Sequence, residues 1–154
     1  MSKAIKLSEK YLMPTCFGPA CGPRQTQDGS RFINQKPTFR KRLTVKFLTE
    51  ADAIKRYLPA GLVLQGEAVV SIQLSELKGI SWLAGRGYNI LSVQVPVRYT
   101  GSVDDITGPF LMVLWENMAD PIITGREQLG YPKLYAEVPD ISSSSDNHQG
   151  SASW

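Results

Sequence analysis

Histidine is almost missing from this chain: the single one, His148, lies in a polar C-terminal stretch. That excludes Ser-His-Asp and Cys-His catalysis and histidine-based zinc sites, and no metal is expected. Acid/base work must then come from carboxylates, lysine or tyrosine. Cysteine is nearly as scarce. Cys16 and Cys21 sit in a Gly/Pro-rich segment and make no disulfide framework, so reduced thiols in a cytoplasmic protein are expected. No apolar run approaches the ~18 residues that cross a bilayer. Met1–Met13 is broken by Lys3, Lys6, Glu9 and Lys10, which leaves no apolar core for a signal peptide, and no membrane partner is expected.

What is present fits one globular domain. The 154 residues suffice for a single core, and 42% hydrophobic against 20% charged residues is the balance of a folded chain rather than a disordered one. The net charge of +3 is unevenly spread: residues 1–56 carry +8 and residues 57–154 carry −5. A basic front half raises the question of nucleic acid. The Arg40-Lys41-Arg42 run has no interleaved aromatics and belongs to no recognisable module, so no nucleic-acid partner is expected. The run is either a solvated basic face or a receiver for an anionic substrate.

Along the chain, residues 1–38 read as an irregular N-terminal arm, residues 39–141 as the domain, and residues 142–154, rich in serine, as a disordered tail. Leu43, Val45 and Phe47 alternate with Thr44 and Lys46 as in a half-buried strand. Thr49 reads as the cap of a helix over Glu50–Leu58 that Pro59 ends. A second strand is expected over Glu67–Leu74, a glycine-rich loop over Lys78–Gly87, and a long third strand over Tyr88–Tyr99. One face of that strand (Tyr88, Ile90, Ser92, Gln94, Pro96) is mixed, so it either lines a cavity or faces water, and Pro96 argues for an edge or a bulge. Gly101–Gly108 reads as a turn, and Pro109–Glu116 as a buried strand. Asp120, Pro121 and Gly130 then bracket a helix over Pro121–Leu129, followed by a strand over Lys133–Val138.

Gly125 in mid-helix costs about 1 kcal/mol of helix propensity relative to Ala; either a close backbone contact accounts for it or it is a tolerated defect. Lys133 follows at an abrupt helix-to-strand junction, where Gly130 stops the helix and Pro132 fixes the approach of the chain. No carboxylate is adjacent in sequence. A lysine in apolar surroundings loses hydration of its ammonium form and becomes available as a nucleophile toward a carbonyl.

The stretch Gly125-Arg126-Glu127-Gln128-Leu129-Gly130-Tyr131-Pro132-Lys133-Leu134 resembles the signature of the acetoacetate decarboxylase family, and the order of elements over about residues 38–140 is similar. The resemblance implies an α+β fold: a mostly antiparallel barrel or cone-like sheet with a few short helices, here incomplete at the C-terminal side. It implies that Lys133 forms a Schiff base and that Arg40 pairs with a substrate carboxylate. Tyr131 and Gln94 complete the expected substrate site, and no cofactor is implied. The expected activity is that of a lyase acting on a small β-keto acid or 2-oxo acid, in a protein that self-associates.

Three departures stand beside the resemblance. Leu134 occupies the place of a second lysine. Ile90 occupies the place of a catalytic glutamate, and no acid lies near Ser71–Gln73; Glu67 and Gln94 are the candidates to compensate, with no sequence signal that brings either to the site. The matching region ends near Ile141, short of the strands that close the family's sheet. The alternatives are therefore a Schiff-base aldolase or dehydratase, or a truncated or degenerate member that binds a keto acid or a protein partner without turnover.

Overall fold

In this computed structural model the described residues are 37–154, together with the backbone of two short paired strands, β1 (Tyr11–Leu12) and β2 (Ala20–Cys21). The expected arm and the state of both thiols otherwise fall outside the described residues. From Phe39 onward come β3 (Phe39–Leu48), α1 (Ala51–Lys55), β4 (Leu62–Leu64), β5 (Val69–Lys78), β6 (Tyr88–Thr100), β7 (Asp105–Glu116), α2 (Ala119–Leu129), β8 (Lys133–Tyr135), β9 (Ser142–Ser143) and β10 (His148–Gln149). A single 3-10 turn, Ser81–Leu83, interrupts the loop before β6.

Six strands form one mixed sheet in the order β3-β5-β6-β7-β8, with β4 on β6 beyond the end of β5. All pairings are antiparallel except β7–β8. The class is therefore α+β, as expected. The sheet is open among the described residues: β3 and β8 are its edges and do not pair with each other, so no closed barrel or cone is seen.

Side-chain alternation sorts the sheet into two faces. On one face Leu74 is buried with Ala136, Val138 and Ile141, and Leu43, Leu91 and Trp115 pack against them. Farther along, Val95 and Val97 bury Ile54 of α1, whose sequestered side chain contributes about 1.5–3 kcal/mol. Val45 and Phe47, expected to be half-buried, are exposed because they lie on an edge strand. Pro96 sits inside a central strand. The missing N–H is accommodated because β5 pairing ends at Gln94 and β4 pairing begins at Val97, while Pro109 stands opposite and the register slips nearby at Val93/Gln94.

Several boundaries move. Thr49 caps nothing: its N–H donates to the Ala68 carbonyl and still belongs to the sheet, so Glu50 is the cap and α1 is a single short turn of helix. The second strand starts at Val69 and runs on to Lys78, and β4 was not anticipated. The last helix begins at Ala119 with Met118 as its cap; Asp120 lies in the first turn, where a negative charge favours the helix dipole. The tail expected to be disordered is instead ordered. β9 and β10 pair, Glu137 and Ser153 exchange backbone hydrogen bonds, and Trp154 stacks on Trp115 at 5.6 Å with planes 8° apart. No helix among the described residues is long and apolar enough to cross a membrane.

Candidate active site

The site begins with the crossover from β7 through α2 to β8. Because β8 returns parallel to β7, Lys133 pairs with Leu114 and Tyr135 with Glu116. Leu114 and Glu116 point to one face of β7, so the turn-and-return of seventeen residues brings the lysine amine back onto the carboxylate. Nζ lies 3.1 Å from Glu116 Oε2 and 2.9 Å from Oε1, and donates to the Pro121 carbonyl at 2.9 Å. Oε1 lies off the hydrogen-bonding direction and accepts no hydrogen bond. Lys133 is 7% exposed and Glu116 not at all.

The motif residues around Lys133 each perform a local task. A Cβ at Gly125 would stand 2.2 Å from Lys133 Cε and 2.5 Å from Nζ, so only glycine lets the lysine pass under the helix. Arg126 donates to the Lys133 carbonyl at 2.9 Å and grips the start of β8. Gly130 ends α2 at φ 70°, a conformation that glycine adopts without strain, and the Gly130 and Tyr131 N–H groups both reach the Gly125 carbonyl. The Tyr131 ring centroid is 5.8 Å from Nζ, within the range of a cation–π contact.

A cavity of about 480 Å³ opens above the amine. Lys133, Arg40, Tyr131 and Gln94, the four residues singled out from the sequence, all line it, so the mixed face of β6 is a cavity wall. Arg42, Tyr88, Ile90 and Glu116 line it as well. A larger, more open concavity of about 890 Å³ adjoins it across the same face. The two share Arg42, Gln73, Gln94 and Pro109, but only the smaller one reaches the amine. Glu67 lines the larger concavity and not the lysine's cavity.

Glu116 is the residue that reading the sequence missed. It pairs directly across from Ile90, so a carboxylate stands on the neighbouring strand opposite the position where one was expected. The one available signal was a charged residue ending the apolar run Phe110–Trp115. Burial pushes the Glu116 carboxyl above the usual carboxylate range, and the hydrogen bond and charge of Lys133 oppose that rise. Tyr88 is pushed up to about 12, first by burial and then by the charge of Glu116, with Arg40 pulling the other way. Leu134, in the place of the second lysine, is half exposed. Among the described residues no group of His, Cys, Asp and Glu is arranged to hold a metal.

Comparison with known proteins agrees with this architecture. A family model described as acetoacetate decarboxylase (ADC) matches residues 19–154. The acetoacetate decarboxylase of Clostridium botulinum (strain Eklund 17B / Type B) is 26% identical over 125 residues, covering 77% of this chain and 46% of that protein. The crystal structure of acetoacetate decarboxylase from Legionella pneumophila superposes with a TM-score of 0.62 at 28% identity, over 79% of this chain and 44% of that one. The enduracididine biosynthesis enzyme MppR, in complex with pyruvate, shares the fold at 15% identity, with a TM-score of 0.58 over 82% of this chain and 54% of that one. The chain thus spans less than half the length of the curated relatives it matches. With the family match running through the sheet, α2 and the lysine junction to the last residue, this chain belongs to the acetoacetate decarboxylase family.

Proposed function

We propose that the protein is a lyase that decarboxylates a small β-keto acid, or acts on a 2-oxo acid, through a Schiff base on Lys133. The observation that carries this reading is a buried lysine amine opening into a cavity that two guanidinium groups also line. An amine that has passed a proton to a neighbouring base is a nucleophile toward a ketone. Nζ adds to the ketone carbon, the carbonyl oxygen leaves as water, and an iminium remains. The C–C bond to the carboxylate then breaks. Its electron pair moves onto the iminium nitrogen, carbon dioxide departs, and an enamine forms. Water supplies the proton that converts the enamine carbon back to an iminium, and hydrolysis frees the product ketone and the lysine. Arg40 serves as the planar fork that receives the substrate carboxylate before it leaves, with Tyr131 and Gln94 as walls. This chemistry needs neither a metal nor an organic cofactor.

A second reading is a keto-acid-binding chain without turnover, which Ile90 and Leu134 favour because they stand where the resemblance implies an acid and a lysine. Release of labelled carbon dioxide from acetoacetate separates the two. The lyase reading expects release by the wild-type protein and none by Lys133→Arg with an unchanged circular dichroism spectrum. Equal release by both proteins, or none by either, contradicts it. Self-association belongs to the same proposal: β3 has one unpaired edge among the described residues, and Phe39, Val45, Phe47 and Leu48 on it are exposed. Light scattering that gives a monomer mass at tens of micromolar would remove that part.

A further inference from the structure

Making an iminium on Lys133 is a problem of proton traffic. The ammonium nitrogen carries three protons and the iminium nitrogen one, so two must leave Nζ and two must arrive on the carbonyl oxygen that departs as water. Nζ touches two polar groups, the Pro121 carbonyl and the Glu116 carboxylate. An amide carbonyl cannot take the proton at neutral pH; a carboxylate can. Glu116 is also the only carboxylate among the described residues that line the cavity. Tyr88, pushed up to about 12, does not readily give up its proton.

We infer that Glu116 is a catalytic residue, the proton shuttle between Lys133 Nζ and the carbonyl oxygen of the substrate; this rests on the Schiff-base reading above. The carboxylate accepts a proton from the Lys133 ammonium and leaves a neutral amine beside a neutral carboxylic acid. The amine adds to the ketone carbon, and Glu116 hands the proton to the oxygen as the carbon–oxygen double bond becomes single. Glu116 then takes the second proton from nitrogen and delivers it to the hydroxyl, which leaves as water while the nitrogen lone pair forms the iminium. Charge balances throughout: an ammonium–carboxylate pair becomes an iminium–carboxylate pair plus water. Hydrolysis runs the same transfers backwards. Both carboxylate oxygens are placed for the role, lying 2.9 and 3.1 Å from Nζ, the atom to which the substrate carbon becomes bonded. The upward pressure of burial on the carboxyl brings it toward the working pH, where a shuttle is most effective.

The test compares rates of Lys133 adduct formation with acetoacetate and with pyruvate, quenched by borohydride and read by mass, for wild type and Glu116→Gln over about pH 5–9. The glutamine keeps shape and removes the proton acceptor. Adduct formation is expected to slow by about 100-fold or more and to lose the pH dependence that belongs to the Glu116–Lys133 pair. Arg40, Arg42, Tyr88 and Tyr131, which also line the cavity, are unchanged in both proteins, as is Arg126, which donates to the Lys133 carbonyl. Acylation of Lys133 by a succinimidyl ester, which needs no proton delivered to a leaving hydroxyl, is expected to proceed in Glu116→Gln at least as fast as in wild type. A purely structural role for Glu116 would instead lower both reactions together. Equal adduct rates and equal pH profiles in wild type and a folded Glu116→Gln overturn the inference. If Glu116→Gln does not fold, Glu116→Asp carries the test: it keeps the charge but withdraws the oxygens by one methylene, and an adduct rate equal to wild type overturns the inference. Absence of any adduct in wild type is a different outcome, which sinks the Schiff-base reading itself.

Discussion

Replacing Gly125 by Ala is the smallest change that separates the position of the lysine from the stability of the helix. By propensity alone the change favours α2 by about 1 kcal/mol. The new methyl would lie 2.2–2.5 Å from Lys133 Cδ, Cε and Nζ, against about 3.5–4.0 Å for an ordinary carbon contact. The overlap therefore exceeds 1 Å, roughly the misplacement that costs a reaction 100-fold. What yields is the end of a flexible side chain, so the amine leaves its place. Its departure breaks the contacts to Glu116 and Pro121 and leaves a fully buried carboxylate without its cation. Loss of one partner of a buried pair costs about 3–5 kcal/mol, which after the helix gain leaves a net destabilisation of about 2–4 kcal/mol. Urea denaturation at neutral pH reads that loss, and borohydride trapping reads the chemistry, with at least about a 100-fold drop in adduct rate. A Gly125→Ala protein as stable as wild type, or more so, that forms adduct at the wild-type rate would refute the reasoning.

Lys133→Met removes the cation but keeps the stem, so burial alone sets the Glu116 carboxyl and raises it further. A carboxyl whose folded value exceeds its unfolded value stabilises the fold at acid pH, and that stability is lost as pH rises through the raised folded value. Denaturation at about pH 5 and pH 8 is thus expected to show Lys133→Met closer to wild type at the lower pH; a gap that does not depend on pH contradicts this. Tyr88, with a folded value of about 12 above the ordinary phenol value, contributes stability below about pH 10 that is lost as pH rises through 12. Spectrophotometric titration of Tyr88→Phe is expected to lose that late-ionising phenol, and an unchanged high-pH limb would count against it. Trp154→Ala removes the stack on Trp115, is expected to cost about 0.5–1.5 kcal/mol, and should change tryptophan emission; no change in either places the last residue off the sheet.

Local features were legible where a residue's task is set by its neighbours. Gly130 as a helix stop follows from one short segment and appears in the structure, whereas the close approach at Gly125 comes from the Lys133 side chain and not from the backbone. The mixed face of β6 was legible as a cavity wall or a wet surface, and burial by β7 and the lysine junction decides between them. Glu116 was not legible, because its partner arrives through a crossover whose parallel register no sequence pattern announces. Order in the serine-rich tail was missed for a similar reason: it rests on Trp154 meeting Trp115, a contact between distant residues that composition does not reveal. Helix α1 was overextended chiefly at its C-terminal end, where the Tyr57 and Leu58 N–H groups turn back to the Ile54 and Lys55 carbonyls and the helix does not continue. Closure of the sheet was an expectation implied by the family resemblance, and the six strands among the described residues leave both edges open.

The most direct measurement is to incubate the folded chain with acetoacetate or pyruvate, reduce with borohydride, digest, and locate the added mass by peptide sequencing. Schiff-base chemistry at Lys133 predicts a single reduced adduct on the peptide containing Tyr131-Pro132-Lys133-Leu134, absent from Lys133→Arg. No adduct with either acid on a verified folded protein, or an adduct on another lysine that persists in Lys133→Arg, would contradict it.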